Sequence, residues 1–230
     1  ALEIMARKNG DDKMGEYVSI LTDSTNMLME LVNDILDISK IEAGKMEMNP
    51  YEENLRDFFN RLHNAFKHTA KDKGLELSLI MDKSVPETLV FDPTRVRQCI
   101  TNLVSNAMKF TAEGSIKIGV KYDNQAGHKL TVFVADTGIG ITPRQKSRLF
   151  KKFSQAEKAT NQIYGGTGLG LTISRNIARM MGGDISVASR PGEGSIFVLT
   201  FMCEAAQDNI STGKTAPAVP EKEQALRGAG

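Results

Sequence analysis

Hydrophobic positions along the chain change their period several times, and each change marks an element. Val18, Leu21, Thr25, Leu28, Val32, Ile35 and Ser39 recur at alternating spacings of three and four, the seam of a long amphipathic helix over roughly Glu16 to Glu42. Leu31, Leu36 and Ile38 widen that stripe beyond a two-stranded coil, so the helix is expected in a helical bundle. Residues 1–8 read as the end of an earlier helix, stopped by Asn9-Gly10-Asp11-Asp12, and Ala43-Gly44 closes the long one. Lys45 to Asn49 reads as a short strand. Leu55, Phe58, Phe59, Leu62 and Phe66 restore a helical period over Asn54 to Lys71. Leu75–Met81 and Thr88–Phe91 read as strands. Asp92-Pro93 is a helix start, with Asp as the cap and Pro in the first turn. Val96, Cys99, Ile100, Leu103, Val104 and Ala107 then give that helix one apolar face.

Ser115–Tyr122 and Leu130–Ala135 alternate apolar and polar positions around Asn124-Gln125-Ala126-Gly127, which predicts a hairpin. Thr142–Phe150 reads as a short helix and residues 151–166 as a polar loop without period. Thr172–Met181 is a helix ended by Gly182-Gly183, and Asp184–Ser189 and Ser195–Met202 complete the strands. After Glu204 the pattern stops, and small, charged and Pro residues run to Gly230 as in a flexible linker. The expected layout is a partial helical hairpin over 1–45, an α+β domain over 46–203, and a linker or tail over 204–230.

Composition narrows the function. Of 230 residues, 40% are hydrophobic and 25% charged, enough for a core. No run approaches the ~18 apolar residues of a membrane span, and no signal peptide opens the chain. A cytoplasmic segment without membrane contact is the expectation. The net charge of +1 gives no electrostatic case for nucleic acid. Cys99 and Cys203 form no disulfide framework or metal pattern and read as buried thiols. Because the chain opens at Ala1 inside a helix, it reads as a fragment.

Three short runs carry candidate chemistry. Asp136-Thr137-Gly138-Ile139-Gly140 follows a hydrophobic strand. Its carboxylate accepts hydrogen bonds only, which suits the exocyclic amine of adenine and not the carbonyl of guanine. Gly138 and Gly140 permit close approach of a flat ligand. Taken alone, the run equally describes a tight turn with a solvated aspartate. Asn102, Asn106 and Lys109 share one helix face by their spacings of four and three. Asn106 offers a neutral oxygen to magnesium and Lys109 a charge to phosphate, although a solvent-facing polar stripe has the same pattern. Gly165-Gly166-Thr167-Gly168-Leu169-Gly170 leads into a helix, where free amides bind anions, or is a generic glycine turn. A Rossmann reading fails because a polar loop precedes these glycines. Gly213-Lys214-Thr215 is no P-loop, since Asp208 stands where its first glycine belongs. His63 and His68 are five apart, which is not metal-binding spacing, and His128 sits beside the hairpin turn.

In this order the motifs resemble those of the sensor histidine kinases of two-component signalling. Asp92 to Gln98 leading into Asn102–Thr111 is similar to the N box, and Asp136–Ile141 to the first glycine box. Leu149-Phe150-Lys151-Lys152-Phe153-Ser154-Gln155-Ala156 is similar to the F box, and Gly165 through Leu171 to the second glycine box. Leu31 to Lys45 resembles the second helix of the dimerisation hairpin. The resemblance implies a Bergerat-type ATP-binding α/β sandwich, a mixed sheet with helices on one face and a mobile lid, behind part of that hairpin. It implies ATP and Mg2+ as ligands. Asp136 would bind adenine beside Gly138 and Gly140, Asn106 magnesium, and Asn102 and Lys109 phosphates. Gly166, Thr167, Gly168, Leu169 and Gly170 would embrace the terminal phosphate, and Phe150 and Phe153 would pack the lid.

Two departures accompany the resemblance. No histidine here has the phosphoacceptor context, so the acceptor is expected upstream of Ala1. The lid's usual arginine is missing from Ala159–Tyr164, leaving Lys151, Lys152 or Lys158 to supply its charge. Relatives that hydrolyse ATP, such as gyrase and heat-shock chaperones, carry a glutamate where this chain has Asn102, an amide that cannot act as a base. The implied function is phosphate transfer to a histidine absent from this chain, with a nucleotide-binding regulatory module as the alternative. Implied partners are a second copy through the hairpin and a response regulator or receiver domain.

Overall fold

In the computed structural model, residues 12–151 and 168–205 are described. The expected helix end at 1–8, most of the lid and the tail lie outside them, as do Lys152, Phe153, Gly166 and Thr167.

The order of elements is α1 (Asp12–Glu42), β1 (Tyr51–Asn54), α2 (Leu55–Asp72), β2 (Glu76–Met81), β3 (Thr88–Phe91), α3 (Pro93–Phe110), β4 (Ser115–Asp123), β5 (Lys129–Asp136), α4 (Pro143–Lys146), α5 (Gly170–Met180), β6 (Asp184–Arg190), β7 (Gly194–Met202) and β8 (Glu204–Ala205). Five strands form a mixed sheet in the order β2-β4-β5-β7-β6, with β2 and β4 parallel and the other pairs antiparallel. A small antiparallel sheet, β1-β3-β8, flanks it.

Alternation along the strands decides which face the helices cover. Ile116, Ile118, Leu130, Val132, Val134, Leu199 and Phe201 are fully buried, while Lys117 and Lys121 on the other face are exposed. The helices bury Leu55, Phe58, Phe59 and Leu62 from α2, Val96, Ile100, Leu103 and Val104 from α3, and Ile173 and Ile177 from α5. Phe58 meets Phe59 and Phe91 edge to face, at centroid distances of 5.1 and 5.6 Å. On the open face Phe133 lies over Gly119, where a Cβ would sit 1.8 Å from the ring. Local signals fix the helix starts. Asn54 and Asp92 accept from the N–H groups of Asp57 and Arg95, and Thr142 and Gln145 close a capping box.

Three expectations need correction. Residues 45–50 form no strand. Met46 is buried and Met48 half-buried against the core, so the alternation there records a chain laid over apolar surface, not strand pairing. The helix read as Thr142–Phe150 ends at Lys146, and Leu149 and Phe150 pack on the core from a turn. Strand β8 had no signal, because two residues carry no period. Cys99 and Cys203 are free buried thiols, each pushed up to about 12 by burial.

Helix α1 has two unlike sides. Tyr17, Ile20, Leu21, Leu28, Val32, Ile35 and Leu36 are exposed. Leu31, Asp34, Asp37, Ile38 and Ile41 are half-buried, and Ile38 and Ile41 pack against the core of the α+β domain. No helix among the described residues is long and apolar enough to cross a membrane.

Candidate nucleotide site

Strand β5 ends at Asp136, paired with Ile116 on one side and Ser195 on the other. The chain then turns sharply, and the Gly138 N–H donates to Asp136 Oδ1 at 2.9 Å. Burial pushes the Asp136 carboxyl above the usual carboxylate range, while the N–H groups of Gly138 and Ser195 pull it back down. A half-buried acceptor-only group therefore stands at the end of the sheet.

The glycines of this loop serve close backbone approach. A Cβ on Gly138 would lie 2.3 Å from the Phe110 carbonyl oxygen. That carbonyl, at the end of α3, accepts from the Ile139 N–H at 3.1 Å. Gly140 has φ +68°, and a Cβ there would meet the Arg190 carbonyl oxygen at 2.0 Å. The Gly192 N–H donates to the Ile139 carbonyl at 2.8 Å, and the Ile141 N–H to Ser189 Oγ at 2.8 Å. The loop is thus pinned between the end of α3 and the β6–β7 turn.

On α3 the expected face forms, but as a relay. Asn102 Nδ2 donates to Ser174 Oγ of α5 at 2.9 Å, and Asn106 Nδ2 donates to Asn102 Oδ1 at 3.1 Å. Both amide nitrogens are committed inward, which presents Asn106 Oδ1 as an oxygen donor for a hard cation. Among the described residues no three His, Cys, Asp or Glu side chains gather to hold a metal by themselves. The donor set thus fits a magnesium ion that draws its remaining ligands from phosphate and water, not a protein cage.

Lys109 lies one turn further on, its Nζ 5.3 Å from the centre of the Phe110 ring. Burial lowers its ammonium below the ordinary lysine value, and Glu30 of α1 partly restores it. Of the second glycine run, Gly168, Leu169 and Gly170 are described. Gly168 has φ +69°, Leu169 is buried, and Gly170 opens α5 without a side-chain cap. A Cβ on Gly170 would stand 2.6 Å from Asn102 Oδ1, so this glycine lets α5 begin against the amide relay.

Phe150 is held from the same helix. Arg175 Cζ sits 4.5 Å from the centre of its ring, and Thr172 Oγ1 donates to its carbonyl at 3.3 Å. Arg175 is fixed in turn by a two-pronged bond to Asp184, Nε to Oδ1 at 2.7 Å and Nη2 to Oδ2 at 2.9 Å. That bond holds the Asp184 carboxyl down at about 2.

Contacts thus gather Ser174, Asn106 and Gly170 around Asn102, and Gly138 and Ile139 against the Phe110 carbonyl, next in the chain to Lys109. Sequence reasoning missed Ser174, Ser195 and Arg175. Ser174 did leave a signal, a serine on the apolar face of a helix. Ser195 left none, because a serine at a strand end is unremarkable.

Residues 91–205 match the model of the histidine kinase-, DNA gyrase B- and HSP90-like ATPase family. The chain is 42% identical to the signal transduction histidine-protein kinase BarA of Escherichia coli over 79% of its own length. It is 39% identical to the sensor protein GacS of Pseudomonas syringae over 92%. It spans only 20% of the length of BarA and 24% of that of GacS. Among solved structures, full-length ShkA in complex with AMPPNP superposes with a TM-score of 0.74 at 28% identity, covering 88% of this chain and 42% of ShkA.

Proposed function

The chain belongs to the histidine kinase-, DNA gyrase B- and HSP90-like ATPase family, and from that premise we propose that it holds Mg-ATP for phosphate transfer to a histidine outside this chain. The observation that carries this reading is the relay Ser174–Asn102–Asn106. A hydrolytic member of the fold needs a base beside the terminal phosphate, and an amide whose nitrogen is locked to Ser174 cannot take a proton. The site is then suited to position the phosphate and exclude water, which is most of what phosphoryl transfer requires.

Each residue has a bounded part in this proposal. Asp136 accepts from the adenine amine, with Gly138 and Gly140 setting the loop that presents it. Asn106 gives one oxygen to magnesium, and Asn102 and Lys109 face the phosphates. Gly168 to Gly170, with Gly166 and Thr167 before them, offer backbone amides at the start of α5. Lys152 is the proposed basic residue of the lid. In transfer, the bond from the terminal phosphorus to the bridging oxygen breaks, a bond to a histidine nitrogen forms in line with it, and ADP leaves.

The histidines of this chain are badly placed to be that acceptor. His63 contacts the Leu77 carbonyl at 3.3 Å, and exposed His68 pairs with Asp72. His128 meets Tyr122 at the opposite end of β5 from Asp136, about 23 Å away at ~3.3 Å per residue. The exposed apolar side of α1 is proposed to pair with a second copy, and a response regulator or receiver domain to take the phosphate onward. The test is labelled ATP with this chain and a separate hairpin carrying an acceptor histidine. Acid-labile, alkali-stable label on the hairpin supports the proposal, whereas steady phosphate release without transfer would mean a hydrolytic clamp.

A further inference from the structure

Helix α5 carries two stripes with different tasks. Ile173, Ile177 and Ala178 bury its apolar side, and Ser174 beside them holds the amide relay. Thr172, Arg175 and Arg179 follow at steps of three and four and form the second stripe. That stripe grips Phe150 at two points one turn apart. The Thr172 hydroxyl donates to the Phe150 carbonyl at 3.3 Å, and the Arg175 guanidinium carbon stands 4.5 Å from the centre of the Phe150 ring. Arg175 cannot wander from the ring, because Asp184 at the start of β6 closes on its fork at 2.7 and 2.9 Å. Arg179 Nε approaches the same carboxylate at 3.4 Å.

The first turn of α5 is therefore clamped from two directions. On one, Gly170 lies against Asn102, where a Cβ would stand 2.6 Å from Oδ1. On the other, Thr172 and Arg175 draw Phe150 onto the helix. The turn has no side-chain cap, so its orphan N–H groups are left for a ligand or water. Stability alone is a poor reason for the Arg175–Asp184 pair. Its side chains are 29% and 44% exposed, and water screens a pair of that kind. A planar guanidinium held at both nitrogens is instead suited to fix direction: it lies over a ring in one orientation, which a lysine point charge would not.

We propose that Arg175 is a positioning residue for the terminal phosphate: fixed by Asp184, it holds Phe150 against the first turn of α5 and so sets the direction of the amides that receive that phosphate. The inference rests on the Mg-ATP reading of the site. Arg175 touches no nucleotide in this proposal and acts only through Phe150. Its effect is confined to one end of the ligand. The adenine end is held by the Asp136 loop, which is pinned to α3 and the β6–β7 turn and makes no use of Phe150. A nucleotide that reaches the start of α5 with a third phosphate feels the clamp, whereas one that stops at the second phosphate does not.

The test is calorimetric titration of the full chain with Mg-AMPPNP and with Mg-ADP. Parent, Arg175→Ala, Phe150→Leu, Asp184→Asn and the double variant Arg175→Ala with Phe150→Leu are compared. Each single variant should lower affinity for Mg-AMPPNP by about three- to tenfold, because a freed segment must be ordered again on binding. Affinity for Mg-ADP should stay within about twofold of the parent, since ordering at the far end is not called on. The double variant should lose no more than the worse single one, because both remove the same contact. Equal losses for the two nucleotides, or none for either, would make Arg175 a structural residue and overturn the proposal. Losses that add in the double variant would overturn the route through Phe150. If Arg175→Ala fails to fold, the AMPPNP-to-ADP ratios of Phe150→Leu and Asp184→Asn decide. A parent chain that binds neither nucleotide refutes the Mg-ATP reading together with the positioning role, whereas binding with unchanged ratios refutes the positioning role only.

Discussion

Replacing Ser174 by alanine tests whether the amide relay orients the site or merely fills it. Ser174 is 1% exposed, and its hydroxyl is the acceptor for Asn102 Nδ2 at 2.9 Å. Removing it deletes one neutral hydrogen bond, worth about 1 kcal/mol net, and leaves a donor without its partner. Asn102 is half-buried, so water reaches the freed amide in part, and the total cost falls near ~1–1.5 kcal/mol. For a domain of this size that lowers Tm by roughly 3–5 °C. The second effect is on binding. Asn106 owes its orientation to Asn102 Oδ1, and once Asn102 is free to turn, fixing both side chains on binding costs about 0.5–1.5 kcal/mol each. Each 1.4 kcal/mol is tenfold, so the two together should lower affinity for Mg-AMPPNP about 5- to 140-fold, and affinity for the metal-free nucleotide by less. Thermal melting and paired titrations with and without magnesium measure both. A melting point lowered as expected, with magnesium-dependent affinity unchanged, would refute the orienting role of the relay.

Asp136→Asn should abolish the preference for ATP over GTP, because a carboxylate that only accepts becomes an amide that also donates; competition titrations with both nucleotides check this. Gly140→Ala should destabilise the fold by about 1–3 kcal/mol or more, since φ +68° is strained for a side chain and the new Cβ would meet the Arg190 carbonyl, as a shift in the urea midpoint will register. The Arg175–Asp184 bond sets a pH dependence. The folded carboxyl is lowered from 3.8 to about 2, so its stabilisation is present above pH ~4 and disappears as pH falls toward ~2. Asp184→Asn should therefore narrow its stability gap to the parent chain across that window in urea titrations. The gap will be small at any pH, because the Asp184 side chain is 44% exposed and water screens the pair.

Elements with a long period were legible in the sequence, and so was the common placement of candidate residues that share a helix with such a period. Helix α3 announces itself through Asp92, Pro93 and six apolar positions, and the same period sets Asn102, Asn106 and Lys109 on one half-buried stripe that flanks the apolar face. The segment over Lys45–Asn49 misled because alternation reports alternate burial, and Met46 and Met48 bury without a strand partner. What could not be read was the tertiary partner of each polar group. Nothing in the spacing says that Asn102 spends its nitrogen on Ser174, 72 residues away, or that Asp37 meets Gln98 across 61. Such contacts depend on the crossing of helices. A helix period gives the face that a residue occupies, not the neighbour that face will meet.

The glycines show the same division between local and distant causes. A Gly-x-Gly run reads naturally as room for a ligand, yet Gly138 and Gly140 are each required by protein backbone: the Phe110 carbonyl on one side and the Arg190 carbonyl on the other. The two demands do not compete. Pinning the loop to the end of α3 places Asp136 at a set position relative to Lys109 and Asn106, which belong to that same helix. Gly170 acts alike at the start of α5, where the space it leaves is filled by Asn102. Gly138 and Gly170 thus tie two loops to one helix, and Gly140 ties the first of those loops to the end of β6. The apolar side of α3 builds the core, its polar stripe carries the proposed metal and phosphate donors, and its two ends hold α1 and the Asp136 loop. On the proposed reading, a shift of α3 would move the adenine, magnesium and phosphate donors together.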